Sequence, residues 1–201
     1  MSRRLTPRGI DRRQQLIDYA RRRFAEGGYH PTSVAEIVGG LGVGKGVFYW
    51  YFDSKEELFE EILRDAHREL RRRQRAAIGD ETDPLRRIEA GIRASVAWSA
   101  EHSDLVGLIR FAATEERFSR AVRRGNEVAV GDLVGHLRDG IEQGTIRSAD
   151  PTVLAQAVIG AIDQLTTMHL RAEQAADPDE IAELAVAFCL GGLAPAAPAD
   201  T

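Results

Sequence analysis

The run Gly42-Val43-Gly44-Lys45-Gly46-Val47-Phe48-Tyr49-Trp50-Tyr51-Phe52-Asp53-Ser54-Lys55-Glu56-Glu57-Leu58 crowds more aromatic side chains together than one short helix can bury. Phe48 and Phe52 stand one helical turn apart and suit a core, which leaves Tyr49 and Trp50 to face outward. The helix through Lys45 and Tyr51 follows another short one, opened by the capping box Ser33-Val34-Ala35-Glu36 and ended by Gly42. Two short helices around a tight glycine-containing turn have the proportions of a helix-turn-helix, which offers its second helix to the major groove. Gly39 and Gly40 lie inside the first of the pair, each costing about 1 kcal/mol relative to alanine. Either tertiary packing absorbs that cost or the motif stays loosely ordered until DNA holds it.

Outward from this segment the period remains helical. Ile10, Ile17, Ala20 and Phe24 form the apolar side of a first helix ending at Gly27-Gly28. Ser54-Lys55-Glu56-Glu57 is a second capping box and opens a long fourth helix to about Ile78. Asp83-Pro84, Asp150-Pro151 and Asp177-Pro178 each pair an N-cap carboxylate with a proline that has no amide to lose. They open helices reaching about His102, Ala172 and Leu190, with a short helix near Ser103 to Ala113 and a long one from about Glu116 to Gln143 between them. No strand signature appears. The expectation is an all-α chain of about nine helices, with a tail, residues 194–201, too small and proline-rich to order.

Net charge is −4, which alone argues against a polyanion partner. The average conceals a division: residues 1–55 carry ten Lys/Arg against five Asp/Glu, and the remainder carries 17 against 26. A basic end on an acidic body suits phosphate contact by one segment only, and charge alone fits a solvated basic helix equally well. No apolar run approaches the roughly 20 residues a bilayer span needs, and no signal sequence precedes the first helix, so a cytoplasmic protein without membrane partner is expected. Cys189, among Ala187, Phe188 and Leu190, reads as a buried small hydrophobe.

The Gly42–Leu58 segment closely resembles the signature of the tetracycline-repressor-like (TetR/AcrR) family, G-V-x-K-G-x-x-Y-x-Y-F-x-S-K-E-x-L, over about residues 10 to 60. The resemblance implies an N-terminal three-helix DNA-binding domain, residues 1–55, and a helical effector-binding and dimerisation domain, residues 56–193. It implies a ligand-responsive regulator, by default a repressor, that binds an inverted-repeat operator as a homodimer. It implies that Thr32 or Ser33, Lys45, Tyr49 and Lys55 meet phosphates, and that Gly44, Lys45, Gly46, Val47, Tyr49 and Trp50 are presented to the groove. Gly44 replaces a usual Ser or Thr, Val47 a frequent Thr and Trp50 a common His, so base preference does not transfer.

No catalytic spacing links His30, His67, His102, His136 and His169 to the carboxylates, and neither a metal site nor a cofactor motif is found; no enzyme is expected. The Arg71-Arg72-Arg73-x-Arg75 cluster fits a solvated face matched to a helix C-terminus better than a nucleic-acid patch. In the expected sensing half, polar residues interrupt apolar stripes: Ser95, Ser99 and His102 after Ile88 and Ile92; Asn126 among Val122 and Val130; Asp163 between Ile162 and Thr167. They need mutual hydrogen bonds or a ligand, and both remain open. With Trp98, Arg110 and Phe111 they would suit a small, mostly apolar effector with one polar or anionic end. Ala155, Val158, Ile159, Ile162 and Leu165, with Leu184 and Phe188, cover more apolar helix surface than inward packing needs and form the expected dimer interface.

Overall fold

A computed structural model describes residues 6–169 and 176–195, which form α-helices and one 3-10 turn, with no strand among the described residues. The helices are α1 (Pro7–Gly27), α2 (Val34–Gly40), α3 (Lys45–Tyr51), α4 (Lys55–Ile78), α5 (Pro84–Glu101), α6 (Ser103–Thr114), α7 (Ser119–Glu142), α8 (Pro151–His169) and α9 (Pro178–Leu193). The aspartate caps hold as read: Asp83 accepts from the amides of Leu85 and Arg86, Asp150 from Thr152, and Asp177 from Asp179. The α7 start is corrected. Glu116–Phe118 is a 3-10 turn, and the α-helix begins at Ser119. Residues 170–172 of the expected α8 and 196–201 of the expected tail lie outside the described residues.

Two compact units divide the chain. One holds residues up to Ala66 together with Gly107–Val122; the other holds His67–Val106 and the chain from Arg123 onward. Packing therefore groups the first half of α4, the end of α6, the 3-10 turn and the first residues of α7 with α1–α3. In that first unit Leu16, Ile17, Ala20 and Phe24 of α1 are buried with Ile37, Phe48, Phe52, Leu58, Phe59 and Phe118. Ile10, read as part of the apolar side of α1, is exposed, because α1 starts about two and a half turns before its first buried residue, Leu16, which supplies the contact instead. Gly40 tolerates no side chain without displacement, since the Tyr19 hydroxyl would stand 1.8 Å from its Cβ.

In the second unit Ile88, Ile92 and Val96 of α5 pack with Val134 and Leu137 of α7, Ala155 and Val158 of α8, and Ile181, Ala185 and Cys189 of α9. Ion pairs tie the surface of this unit: Arg71 grips Asp132 at 2.5 Å, Arg87 meets Asp139 at 3.0 Å, and Arg93 bridges Glu89 and Glu183. Three arginines of the α4 cluster are thus paired within their own chain, Arg71 and Arg75 with Asp132 and Arg73 with Glu101. No helix among the described residues is long and apolar enough to cross a membrane.

Candidate nucleic-acid interface

Phe48 and Phe52 anchor α3 from beneath, both fully buried, and Arg13 covers the Phe52 ring at 5.0 Å while its guanidinium pairs with Glu61. Anchoring at these two positions turns the intervening side chains outward. Lys45, Tyr49 and Trp50 are exposed, Trp50 at 59%, and Val47 is half-buried. Gly44 caps α3 with no side-chain hydrogen bond, and a Cβ at Gly44 or Gly46 would meet nothing within 4 Å. The outer surface of α3 is therefore one lysine and two large aromatics above bare backbone.

Ser33 is exposed, and its Oγ accepts from the Glu36 amide at 3.1 Å, the expected cap of α2. Only half of that capping box forms as read, because the Glu36 carboxylate is taken by the Arg23 guanidinium. Thr32, expected with Ser33 as a phosphate contact, is 2% exposed, and its hydroxyl donates to the carbonyls of Gly28 at 2.8 Å and Arg23 at 3.3 Å.

Lys55, also expected to meet a phosphate, has partners within its own chain. Its ammonium donates to the carbonyls of Tyr29 (2.8 Å), Thr32 (2.9 Å) and His30 (3.4 Å), matching three donors with three acceptors, and lies 4.2 Å from the Tyr29 ring centre. Burial pushes its pKa down, against the opposing pull of Glu56. Lys55 pins the turn that leads into α2. Below it, Tyr29 donates to Glu56 at 3.0 Å and packs its ring against Phe24, Phe59, Phe111 and Phe118, and burial raises the phenol pKa well above its ordinary value. Burial would raise Glu56 too, but a backbone N–H, the Tyr29 hydroxyl and the cations Lys55 and Arg117 outweigh it and hold that carboxyl below its ordinary range. His30 meets Glu115 at 3.2 Å, and Arg117 spans Glu56 and Glu115 at 3.5 Å. This clamp on residues 29–32 was invisible as sequence, for its parts come from α4 and from 111–118.

Arg110 and Phe111, expected in the effector site, belong to the first unit: Arg110 is exposed and Phe111 joins the aromatic cluster. In the second unit Ser95 already has partners, donating to the Gly91 carbonyl at 2.7 Å and accepting from Gln74 at 2.9 Å. His102 stacks on Trp98 with ring centres 5.0 Å apart, bonds the Trp98 carbonyl at 3.0 Å and approaches Glu69 at 3.6 Å. Ser99 and Val130 are half-buried, whereas Asn126 and Asp163 point outward and interrupt no core. Among the described residues, two buried side-chain polar atoms have no hydrogen-bond partner: Trp98 Nε1 and Thr167 Oγ1.

Of the residues expected at a dimer interface, Ala155 and Val158 are buried in the core of the second unit, and Ile162 and Leu165 pack partly against it; Ile159 is half-buried. Leu184 and Phe188 remain 61% and 70% exposed, one turn apart on α9. Val153 and Met168 of α8, not picked out from the sequence, are exposed as well. The missed signal is the period of α8, where residues 153, 157, 160, 164 and 168 share one exposed stripe.

A profile described as bacterial regulatory proteins, tetR family, matches residues 16–62. The HTH-type transcriptional repressor KstR2 of Mycobacterium tuberculosis is 30% identical over 189 residues, 90% of this chain and 92% of that protein. Among solved structures, the fatty acid degradation regulator FadR from Bacillus halodurans superposes with a TM-score of 0.83 at 21% identity, covering 95% of this chain and 98% of that one. AibR in complex with isovaleryl coenzyme A and operator DNA superposes with a TM-score of 0.72 at 21% identity, covering 88% and 97%.

Proposed function

The chain belongs to the tetR family of bacterial regulatory proteins and is a DNA-binding transcriptional regulator, not an enzyme, and from that premise we propose that it acts as a homodimeric repressor of inverted-repeat operators, released by a small, mostly apolar effector. The observation that carries the operator reading is α3: anchored by Phe48 and Phe52, it turns Lys45, Tyr49 and Trp50 outward together. A lysine at the edge neutralises phosphate, and side chains on the outer face reach base edges. The exposed apolar stripe of α8 and α9, Val153, Met168, Leu184 and Phe188, supports a two-fold partner, since a helix pair left with such side chains in water gains by covering them with its own copy.

For the effector, Trp98 Nε1 on α5 and Thr167 Oγ1 on α8 are two buried groups able to donate to acceptors on a ligand, on helices whose other buried residues are mostly apolar. The similar structures are AibR in complex with isovaleryl coenzyme A and the fatty acid degradation regulator FadR, which supports an acyl-type compound with one polar end. The polar residues Ser95 and His102 bond within the chain and are read as a network beside that site rather than as ligand contacts. Three helices pass from the second unit into the first, α4 at Ala66, α6 at Val106 and α7 at Val122, so a ligand that favours one arrangement of these helices biases the recognition helices as well. The test is selection of bound genomic fragments by the purified full-length chain, with salt titration, followed by release with acyl coenzyme A esters. Binding that weakens steeply with salt and is lost on adding an ester supports the reading; affinity flat in salt overturns it.

A further inference from the structure

We infer that the effector is held in the second unit by a neutral carbonyl group, which accepts from Trp98 Nε1 and Thr167 Oγ1, and that a carboxylate in the same place is refused. This rests on the reading that an acyl-type compound is the effector. Trp98 is 2% exposed and Thr167 7%, and neither Nε1 nor Oγ1 has a hydrogen-bond partner. The neighbouring Thr166 shows how a buried hydroxyl is satisfied on this helix: its Oγ1 donates to the Ile162 carbonyl at 2.8 Å. Thr167 makes no such bond to its own backbone. The Trp98 indole is held by the His102 ring, 5.0 Å away between centres with the planes 10° apart, so its N–H keeps one direction.

Both atoms lie at one end of the unit. Arg93 of α5 pairs with Glu183 of α9, and one turn on Ala97 shares a cleft with Pro178, so α5 runs antiparallel to α9. The Ala176 amide, just ahead of α9, donates to the carbonyl of His169 at the end of α8, and those two helices also pack antiparallel. Trp98 and Thr167, each in the last turn of its helix, therefore stand at the same level. The charges around that level do not suit an anion. Helices α8 and α9 contain no lysine or arginine. Arg73 of α4 is paired with Glu69 and Glu101, and Arg93 of α5 with Glu89 and Glu183. The described polar residues buried in this unit, Ser95, Thr166 and Thr167, are neutral hydroxyls, and burial lowers the His67 pKa, which keeps that ring uncharged at neutral pH. A carboxylate brought here loses its water and gains no counter-charge. A carbonyl oxygen carries no net charge and takes two donors, one on each lone pair.

The probes are acyl coenzyme A esters of short, medium and long chain, each matched with the S-alkyl coenzyme A thioether of the same chain, in which a methylene stands where the carbonyl was. Methyl esters and free acids of the same chains form a second set of pairs, differing in charge. Binding to the full-length protein is measured by calorimetry without DNA. The coenzyme A ester should bind about tenfold more tightly than its thioether, the worth of one or two hydrogen bonds. The methyl ester should bind more tightly than the acid at neutral pH. In Thr167→Val, which keeps the shape of the side chain, the preference for ester over thioether should shrink severalfold. Its melting temperature without probe should be unchanged or raised, because an unbonded buried hydroxyl has gone. Trp98→Phe should shrink the preference likewise, and a ratio taken within one protein is insensitive to a general loss of folding. The inference is overturned if ester and thioether bind alike, if the acid binds as tightly as the methyl ester, or if Thr167→Val keeps the preference or melts lower. If no probe binds at any chain length, the acyl-type effector falls and this inference with it, whereas probes that bind without regard to carbonyl or charge remove this inference alone.

Discussion

Lys45 and Lys55 stand in the same basic segment and end in opposite environments. Lys45 lies open on α3, while Lys55 is spent on three backbone carbonyls of the 29–32 turn. Replacing Lys45 by Ala should weaken binding to every sequence and reduce the slope of log affinity against log salt by about one, the signature of a lost phosphate contact. Replacing Lys55 by Met should leave that slope unchanged and lower thermal stability by about 1 kcal/mol, since three carbonyls lose their donor while water reaches part of the turn. A Lys55→Met protein with full stability and a flattened salt dependence would restore Lys55 to the phosphate role. Which residue types the segment contains is legible in sequence; which way they point is not. Thr32 shows the same limit, a hydroxyl beside a helix start that turned inward to Gly28 and Arg23.

Helices α4 and α7 meet where a glycine leaves room for a ring. A Cβ on Gly125 would stand 2.4 Å from the His67 imidazole, so the close approach exists because Gly125 has no side chain. Gly125→Ala should cost about 1–3 kcal/mol by overpacking, and His67→Ala in the same chain should remove most of that cost, a coupling that a double-mutant cycle of unfolding free energies measures. Additive costs would show that the two do not touch. Burial holds the His67 pKa below its ordinary 6.5. The sign follows from which state takes the proton: above about 6.5 both states are neutral, and as pH falls through that value the unfolded chain binds a proton that the folded chain refuses, so stability declines until the folded pKa is reached. Thermal melts from about pH 7.5 down to 5.5 should therefore show a declining melting temperature, with a shallower decline in His67→Leu. His136, also depressed by burial and by Arg87, keeps part of the slope. An unchanged slope in His67→Leu would show that the ring is solvated. At this scale the caps and glycine stops were readable because each is decided within a few residues, whereas the Gly125–His67 and Gly40–Tyr19 approaches join positions far apart in the chain.

Taken whole, the molecule leaves Leu184 and Phe188 of α9, like Val153 and Met168 of α8, in water. Replacing both by Lys should convert a dimer into a monomer in sedimentation at micromolar concentration without loss of helical circular dichroism, and operator affinity should fall as two half-sites are no longer held together. A double variant that still sediments as a dimer would move the interface elsewhere. The sequence by itself determined the all-α class, the helix order to within a few residues, and the helix-turn-helix, because period, capping and glycine termination act over one or two turns of backbone. Only the tertiary structure decided that Ala155 and Val158 face the core while Val153 and Met168 face out, and that residues 107–122 fold with the first unit. It also decided that Lys55 and Thr32 hold a turn, leaving Lys45 with Tyr49 and Trp50 on the open surface. A helix with apolar residues on several sides has no local preference for which side is buried; that choice is made by the elements it meets, and those are set by contacts between residues distant in the chain.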